Sequence, residues 1–297
     1  MAIKPIPGVK IKKVGIIAKH KLDQRVNYLN ELVKELEKSG KEIFFDEVCA
    51  RLLGLKSSME RTTMMRKADL VVVLGGDGTL LKSARFMGRK KPFIAGVNMG
   101  HLGFLTAFTP QKFIKNLPQV FAGKFSLDER FLLRVTVYRN GKKKFTTLAI
   151  NEAVINQGGF ARLINLHVEV NQRELATYRA DGLIISTPTG STGHALSAGG
   201  PIVHPKILGM VMTPICPIKL SVRPIIIPND RQLTIKLETE WRAEKKPIVL
   251  TIDGQITRNL KRGDVIKIRK SSRSFNMIRM AGHNYYRMLR QKLLWTE

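Results

Sequence analysis

Residues 68–79 read ADLVVVLGGDGT, and this stretch decides the fold. Its first part, residues 68–74, is apolar on both faces, which is typical of a parallel strand covered by helices on either side. The glycines that follow permit a tight turn in which backbone N–H groups approach a ligand closely. The segment from Leu80 to Met87 is helical in pattern. Strand, glycine-rich turn and helix in succession predict a phosphate-binding unit in a parallel sheet.

The same alternation of strand and helix extends toward the N-terminus and beyond the glycine turn. Asp23 can cap a helix that Gly40 ends. The apolar positions of that helix recur at helical spacing: Val26, Leu29, Val33 and Leu36. Further strands are predicted at residues 14–18, 42–45 and 92–98. We therefore predict an α/β domain with a parallel sheet over residues 1–123.

After Lys124 the pattern changes to short strands without intervening helices. Residues 131–138 and 144–148 flank Asn140-Gly141, a pair that accepts the positive φ angles of a hairpin turn. Other strands are predicted at residues 163–170, 182–186, 231–238, 247–252 and 264–269. We predict a β-rich, sandwich-like domain over residues 124–271. The C-terminal segment 272–297 is expected to contain a helix near residues 285–295 and to pack on the first domain.

Composition narrows the classes of protein further. The chain has 297 residues, of which 43% are hydrophobic, and it lacks an apolar run long enough to span a bilayer. Two cysteines make no disulfide framework, so we expect a cytoplasmic protein without a membrane segment. The formal net charge of +28 attracts anions such as phosphorylated metabolites or nucleic acid. The basic tract 258–273 contains no aromatic residue for base stacking, which favours a solvated basic face.

Asp77 is the unusual residue of the glycine turn, because a carboxylate repels the phosphates that such a turn binds. It has two interpretations from the residues alone. Asp77 caps the following helix, or it accepts a proton or coordinates a bridging Mg²⁺. Other nucleotide and hydrolase motifs are absent from the sequence: GxxxxGK[ST], GxGxxG after a strand, HExxH and GxSxG.

Two further segments combine polar residues with glycines. Residues 180–201, ADGLIISTPTGSTGHALSAGGP, form a long block of hydroxyls and glycines, and loops of that length usually bind something. Asn151-Glu152 precedes the apolar residues 153–155 and offers an amide beside a carboxylate, a pair suited to adenine and ribose edges. The alternative for the block is a long surface loop rich in turn formers, and Asn151-Glu152 taken alone is better explained as an ordinary exposed strand end.

Taken together, five motifs occur in the order found in one family: GGDGT at 75–79, NMGHLGFLT at 98–106, NEAVIN at 151–156, the block at 180–201 and IDGQ at 252–255. The chain closely resembles the NAD kinases of bacteria over most of its length. GGDGT is shared with lipid kinases of the diacylglycerol and sphingosine type. The block at 180–201 joined to Asn151-Glu152 is much more specific.

The resemblance implies that ATP phosphorylates the 2′-hydroxyl of the adenosine ribose of NAD to give NADP, with Mg²⁺ or another divalent cation. It implies that Asp77 accepts the hydroxyl proton and that Asn151 and Glu152 contact the adenosine part of NAD. The resemblance assigns no residue of this chain as a metal ligand. The other residues that the resemblance assigns to nucleotide binding are Gly75, Gly76, Gly78, Thr79, Lys82, Arg162, Arg179, Asp181, Thr189, Thr192, Gly193, His194, Ala195, Leu196, Ser197 and Gln255.

The resemblance also implies a homo-oligomer, a dimer or tetramer, with no specific nucleic-acid partner. His194 stands where the family usually has tyrosine, and Gly193 where it has alanine. Two other functions remain open at this point. A lipid kinase would share the glycine turn but need an apolar acceptor pocket, and a basic nucleic-acid-binding protein would have kept the scaffold without activity.

Overall fold

A computed structural model describes residues 6–20, 26–100, 103–157, 163–239, 247–282 and 284–295. The chain forms two compact units: Met1–Glu129 with Arg273–Glu297, and Arg130–Ser272. The C-terminal segment therefore belongs to the first unit. The helices are α1 Val26–Lys38, α2 Glu47–Leu52, α3 Arg61–Lys67, α4 Asp77–Ala84, α5 Pro110–Phe121, α6 His194–Ser197 and α7 Tyr285–Leu293.

The strands are β1 Lys13–Ala18, β2 Glu42–Phe45, β3 Leu70–Gly75, β4 Phe93–Asn98, β5 Ser126–Arg139, β6 Lys142–Ala149, β7 Glu152–Gln157, β8 Ile164–Val170, β9 Arg173–Ala180, β10 Gly182–Ser186, β11 Gly209–Ile215, β12 Ile225–Pro228, β13 Leu233–Leu237, β14 Ile248–Ile252, β15 Ile256–Asn259 and β16 Val265–Arg279. β5 and β16 each begin in one unit and end in the other.

The first unit is built on a parallel sheet in the order β2-β1-β3-β4. The last part of β16 adds a parallel strand beside β4, with Asn276 opposite Phe93. Every residue of β3 is buried, as its uniformly apolar sequence predicts. Apolar residues of α1 and α5 complete the core of this unit. The predicted α/β class of the N-terminal part is confirmed.

Local signals explain most helix boundaries in this unit. Gly40, with φ +63, follows α1 as expected, whereas the predicted cap Asp23 lies outside the described residues. α4 begins at Asp77 rather than at the predicted Leu80, because Gly76 takes the N-cap position. α5 was not predicted, although Thr109 caps it and Pro110 occupies its first turn.

The second unit is a sandwich of two antiparallel sheets. One sheet has the order β12-β11-β10-β7-β14-β15, and the other contains β8, β9, β13, the first part of β16 and the hairpin β5–β6. Apolar side chains from both sheets share one core, which includes Leu133, Ile185 and Leu250. The predicted β-rich class is therefore confirmed, and Asn140 and Gly141 have the positive φ angles expected of their turn.

Five strands of this unit were not predicted: β7, β9, β11, β12 and β15. The turn between β8 and β9 shows one reason, since Asn171 and Gln172 both adopt positive φ without a glycine. In the part of the chain that the structure describes, no helix is long and apolar enough to cross a membrane. Cys49 is buried and Cys216 is exposed, and neither forms a disulfide.

Candidate active site

The glycine turn between β3 and α4 leaves open space for a ligand at one residue. A Cβ atom placed on Gly75 would lie 2.8 Å from the Cβ of Thr79, so this glycine is required by the buried threonine. A Cβ atom on Gly76, in contrast, would have no heavy atom of the described residues beyond its chain neighbours within 4 Å. The N-terminus of a helix carries a partial positive charge. The start of α4 therefore suits a phosphate group, and Lys82 lies exposed on the same helix.

Asp77 directs its carboxylate away from its own helix. No side-chain hydrogen bond caps α4 at Gly76. The Asp77 carboxylate accepts three backbone N–H bonds from the segment after β4: Phe104 to Oδ2 at 2.6 Å, and Leu105 and Thr106 to Oδ1 at 3.1 Å each. Of the two interpretations of Asp77, helix capping is therefore wrong.

The two oxygens of Asp77 differ in how many hydrogen bonds they accept. Oδ1 accepts the N–H groups of Leu105 and Thr106 and also lies 3.4 Å from the Thr106 hydroxyl. Oδ2 accepts the N–H of Phe104. Because each carboxylate oxygen has two acceptor sites, Oδ2 is the oxygen with capacity for a further donor.

Gly103 makes this approach of the carboxylate possible. A Cβ atom at Gly103 would overlap Asp77 Oδ1 and lie 2.5 Å from Asp77 Cγ. The φ angle of Gly103 is outside the left-handed region, so its backbone would accept alanine. Glycine is therefore required at position 103 because a side chain would not fit beside Asp77, and not because of the backbone conformation.

A second aspartate organises the start of β7 in the other unit. The buried Asp253 accepts N–H bonds from Ile150 at 3.1 Å, Asn151 at 2.8 Å and Glu152 at 3.0 Å. In return, the N–H of Asp253 donates to the Glu152 carbonyl at 3.0 Å. Asp253 and Gly254 both have positive φ, which brings the carboxylate back toward the strand. Asp253 thereby fixes the backbone from which Asn151 and Glu152 project.

Glu152 is a buried carboxyl group without a countercharge among its described contacts. Burial and, secondarily, the charge of Asp253 raise its pKa from 4.5 to about 8. Among the described residues, Glu152 Oε2 and Asn151 Oδ1 have no hydrogen-bond partner. A neutral carboxylic acid at this position can donate a hydrogen bond, and the amide oxygen can accept one. The pair therefore offers complementary polar groups to a ligand.

The start of the block at 180–201 packs directly on Asn151. The N–H of Thr187 donates to the Asn151 carbonyl at 2.8 Å, and the Thr187 hydroxyl donates to the Ile150 carbonyl at 2.5 Å. A Cβ atom on Gly190 would lie 2.6 Å from the Asn151 carbonyl carbon, whereas one on Gly193 would lie 3.5 Å from Glu152 Oε2. The structure thus brings the block and the Asn151-Glu152 pair together, although they are distant in sequence.

The remaining predicted residues are less uniformly placed. Ala195 is buried against Val154 and Ile184, so it supports the block, while Leu196 is partly buried and His194 and Ser197 are exposed. The Thr189 hydroxyl accepts a bond from the buried Arg130 at 3.0 Å, and the Thr192 hydroxyl donates to the Thr189 carbonyl at 3.4 Å. Arg179, Asp181 and Gln255 lie at or beside ends of β9, β10 and β14, and Arg162 lies outside the described residues.

A cavity of about 740 Å³ lies in the first unit. Its walls include His20, just after β1, and Glu47 and Val48, just after β2, together with Arg51 and Phe86. Ligands of open α/β sheets bind outside the carboxyl ends of the strands. The N–H of Lys19 donates to the Leu74 carbonyl at 2.9 Å, which ties the end of β1 to the residue before the glycine turn.

Comparison with known proteins identifies the family. The ATP-NAD kinase N-terminal domain matches residues 14–125, and the ATP-NAD kinase C-terminal domain matches residues 150–280. The chain belongs to the NAD kinase family. It is thus a member of a family of phosphotransferases, and the resemblance drawn from its motifs is confirmed.

Full-length relatives agree with this assignment. The NAD kinases of Geotalea daltonii and Geobacter sulfurreducens are 41% and 40% identical to this NAD kinase family member, over 97% of this chain and 100% of theirs. Yeast NADH kinase, solved with NADH, superposes with a TM-score of 0.87 at 25% identity, covering 98% of this chain and 89% of that one. The NAD kinase of Archaeoglobus fulgidus, solved with ATP, shares the fold with a TM-score of 0.72 at 23% identity, covering 96% of this chain and 100% of that one.

Sequence reasoning missed three contributors to the geometry of this NAD kinase family member: Gly103, Asp253 and the N–H groups of residues 104–106. Asp253-Gly254 carries a local signal, because an Asp-Gly pair indicates a turn. Gly103 and residues 104–106 lie in the quoted motif at 98–106, but the sequence does not show that they face Asp77. Among the described residues, no group of three or more His, Cys, Asp or Glu side chains is arranged to hold a metal ion.

Proposed function

We propose that this chain transfers the γ-phosphoryl group of ATP to the 2′-hydroxyl of the adenosine ribose of NAD, giving NADP and ADP. Family membership supports the reaction, and the yeast and archaeal relatives were solved with NADH and with ATP. The observation that carries the mechanism is the position of Asp77. Its carboxylate lies in the glycine turn, is fixed by three N–H groups and retains acceptor capacity on Oδ2.

In the proposed step, Asp77 Oδ2 takes the proton of the ribose 2′-hydroxyl. The hydroxyl oxygen forms a bond to the γ-phosphorus, and the bond from that phosphorus to the bridging oxygen of ATP breaks, so that ADP leaves with the electron pair. Phosphoryl transfer depends mostly on alignment of the nucleophile and on neutralised charge. The backbone around Gly75, Gly76, Gly78 and Thr79 would hold phosphate oxygens, and Lys82 would add positive charge on α4.

For NAD, we propose that Asn151 and Glu152 contact the adenosine part. The unpartnered Asn151 Oδ1 suits a donor such as the adenine amino group, and a protonated Glu152 suits an acceptor of the base or ribose. The fixed backbone at Asp253 supports this assignment. The further residues proposed to contact NAD are Arg162, Arg179, Asp181, Thr189, Thr192, Gly193, His194, Ala195, Leu196, Ser197 and Gln255.

A divalent cation, Mg²⁺ or another, is proposed to arrive with ATP. Mg²⁺ usually keeps several waters and binds one or two carboxylates plus substrate phosphates, so it does not need a cage of protein ligands. Because Asp77 Oδ2 takes the hydroxyl proton in the proposed step, the ion would be held by ATP phosphates and waters and not by this carboxylate. When bound, the ion would neutralise charge on the transferred group.

We also propose a cytoplasmic location and a homo-oligomeric state, a dimer or tetramer. The unpaired cysteines Cys49 and Cys216 support a reducing compartment. Light scattering coupled to size-exclusion chromatography tests the oligomer, and a monomer at micromolar concentration would contradict it.

A coupled assay tests the proposed reaction. Purified protein, NAD and Mg-ATP are combined with an NADP-specific dehydrogenase, and NADPH formation is followed by absorbance. Asp77→Asn is expected to lower kcat by about 10²- to 10⁴-fold, the usual cost of losing a general base, while NAD still binds in calorimetry. No NADPH above blank with the wild-type protein would exclude the reaction. Turnover of Asp77→Asn near the wild-type rate would exclude Asp77 as the base.

A further inference from the structure

The peptide bond between Leu105 and Thr106 connects Asp77 to a buried arginine from the C-terminal segment. The N–H of this peptide, on Thr106, donates to Asp77 Oδ1 at 3.1 Å. Its carbonyl oxygen, on Leu105, accepts from Arg279 Nη1 at 2.8 Å. One guanidinium therefore acts on the same peptide group that holds the carboxylate.

Arg279 is fixed on both sides of this contact. Its side chain is only 3% exposed, and its Nε donates to Asp128 Oδ2 at 2.9 Å. The Ser126 hydroxyl donates to the Arg279 carbonyl at 3.2 Å, which ties the backbone of β16 at the same place. The planar guanidinium presents its donors in a rigid fork. Its contacts with Asp128 and Leu105 therefore fix the orientation of the Leu105 carbonyl.

The chemistry of the amide explains what this contact does for Asp77. A charged donor on the carbonyl oxygen polarises the peptide, and hydrogen bonds in a chain strengthen one another. The Thr106 N–H consequently becomes a better donor to Oδ1. Because a planar peptide turns as a unit, the same contact also fixes the direction in which that N–H points. Asp77 Oδ1 is thus engaged, and Oδ2, which accepts the N–H of Phe104, keeps capacity for a further donor.

We propose that Arg279 is a positioning residue for Asp77, acting through the Leu105–Thr106 peptide. This inference rests on the proposed function, in which Asp77 is the general base. Arg279 lies 202 positions after Asp77 in the chain (279 minus 77) and outside every motif that the sequence analysis identified. Its role in the reaction is to hold the segment 104–106, and with it the carboxylate, in the productive orientation.

The test measures kcat and KM for Arg279→Met and Arg279→Lys in two backgrounds, wild type and Asp77→Ala. Methionine removes every donor, and lysine cannot bind Asp128 and Leu105 through a fixed fork. In the wild-type background, kcat is expected to fall about 10- to 100-fold, since a misplacement of 1 Å costs up to about 100-fold. KM for NAD should stay within about 3-fold, because Asn151 and Glu152 are unchanged.

The Asp77→Ala background separates positioning from general structural support. If Arg279 acts through the carboxylate, its replacement should change the residual turnover of Asp77→Ala by less than about 2-fold. Arg139→Lys is the matched control, because Arg139 also pairs with a buried aspartate, through Nε to Asp264 Oδ1 and Nη2 to Oδ2 at 2.7 Å each. Its kcat is expected to remain within about 2-fold of wild type.

Three results have distinct meanings. If folded Arg279→Met or Arg279→Lys keeps the wild-type kcat while Asp77→Ala is inactive, the inference is overturned and the proposed function remains intact. The inference is also overturned if replacing Arg279 lowers kcat by the same factor in the wild-type and Asp77→Ala backgrounds, because the effect would then not pass through the carboxylate. Full activity of Asp77→Ala would refute the proposed base itself. Thermal melting verifies folding, and Arg279→Lys provides the test if Arg279→Met does not fold.

Discussion

Gly103→Ala is expected to inactivate the protein while leaving Asp77 in the sequence. The added Cβ would lie 2.5 Å from Asp77 Cγ and closer still to Oδ1, whereas ordinary van der Waals contact begins at 3.4 Å, so the carboxylate must move by at least about 0.9 Å. That movement disturbs the N–H bonds of Phe104, Leu105 and Thr106 together. A misplacement of about 1 Å costs roughly 100-fold in rate, or about 3 kcal/mol of activation free energy.

The assay is the coupled formation of NADPH at saturating NAD and Mg-ATP, with KM determined for both substrates. We expect kcat of Gly103→Ala to fall about 100-fold with KM for NAD within about 3-fold, because the residues proposed to contact NAD are not displaced. Gly100→Ala is the matched control. It adds the same methyl group three residues earlier, where a Cβ has no heavy atom of the described, non-adjacent residues within 4 Å, and it keeps the N–H that donates to Asn98 Oδ1 at 2.8 Å.

The two glycine variants should therefore differ in turnover and agree in thermal stability to within a few degrees. If Gly103→Ala retained wild-type kcat, the position of the Asp77 carboxylate in this structure would be irrelevant to turnover. If both variants lost activity equally, the loss would belong to the loop as a whole and not to contact with Asp77.

Two other perturbations address the second unit. Glu152→Gln should change the pH dependence of stability. In the wild type, the folded chain keeps the Glu152 proton up to about pH 8, whereas the unfolded chain loses it near pH 4.5. Wild-type stability therefore falls as the pH rises through that window. The Tm of Glu152→Gln minus that of the wild type, measured by scanning fluorimetry, should consequently grow from pH 5 to 8.5. A difference that stays constant over this range would contradict the claim that burial raises the pKa of Glu152. Asp253→Asn should destabilise the fold by about 1–3 kcal/mol, because the amide cannot accept all three N–H groups that the carboxylate accepts. It should also raise KM for NAD more than it lowers kcat, and the reverse pattern would argue against its control of Asn151 and Glu152.

Periodicity and turn chemistry were sufficient for much of the fold. β3 was predicted because a strand buried on both faces needs uniformly apolar residues, and ADLVVVL meets that requirement. The β5–β6 hairpin was predicted because Asn140-Gly141 tolerates positive φ at little cost. β9 was missed because Asn171-Gln172 makes the same kind of turn without glycine. The short helices α2 and α3 carry too few turns for a periodic signal.

The candidate site likewise has a part that the sequence indicated and a part that only the structure shows. The order of the five motifs, through the resemblance to the family, indicated Asp77, Asn151 and Glu152, since each motif by itself also fitted an ordinary turn, loop or strand end. Their partners were not visible, because Asp253 follows Glu152 by 101 residues and meets it only when β7 and β14 pair. The raised pKa of Glu152 likewise depends on burial, which no local sequence states.

The sequence by itself therefore determined the family and the α/β and β-rich classes, and it supplied the candidate site residues, since short-range spacing encodes strands, turns and glycine motifs. Tertiary structure alone decided how those residues are held. The approach of Gly103 to Asp77, the hydrogen bonds of Asp253 to the start of β7 and the hydrogen bond from Arg279 to the Leu105 carbonyl all join segments that are distant along the chain. Such contacts depend on packing to within an ångström, and a linear pattern of residue types carries no distances.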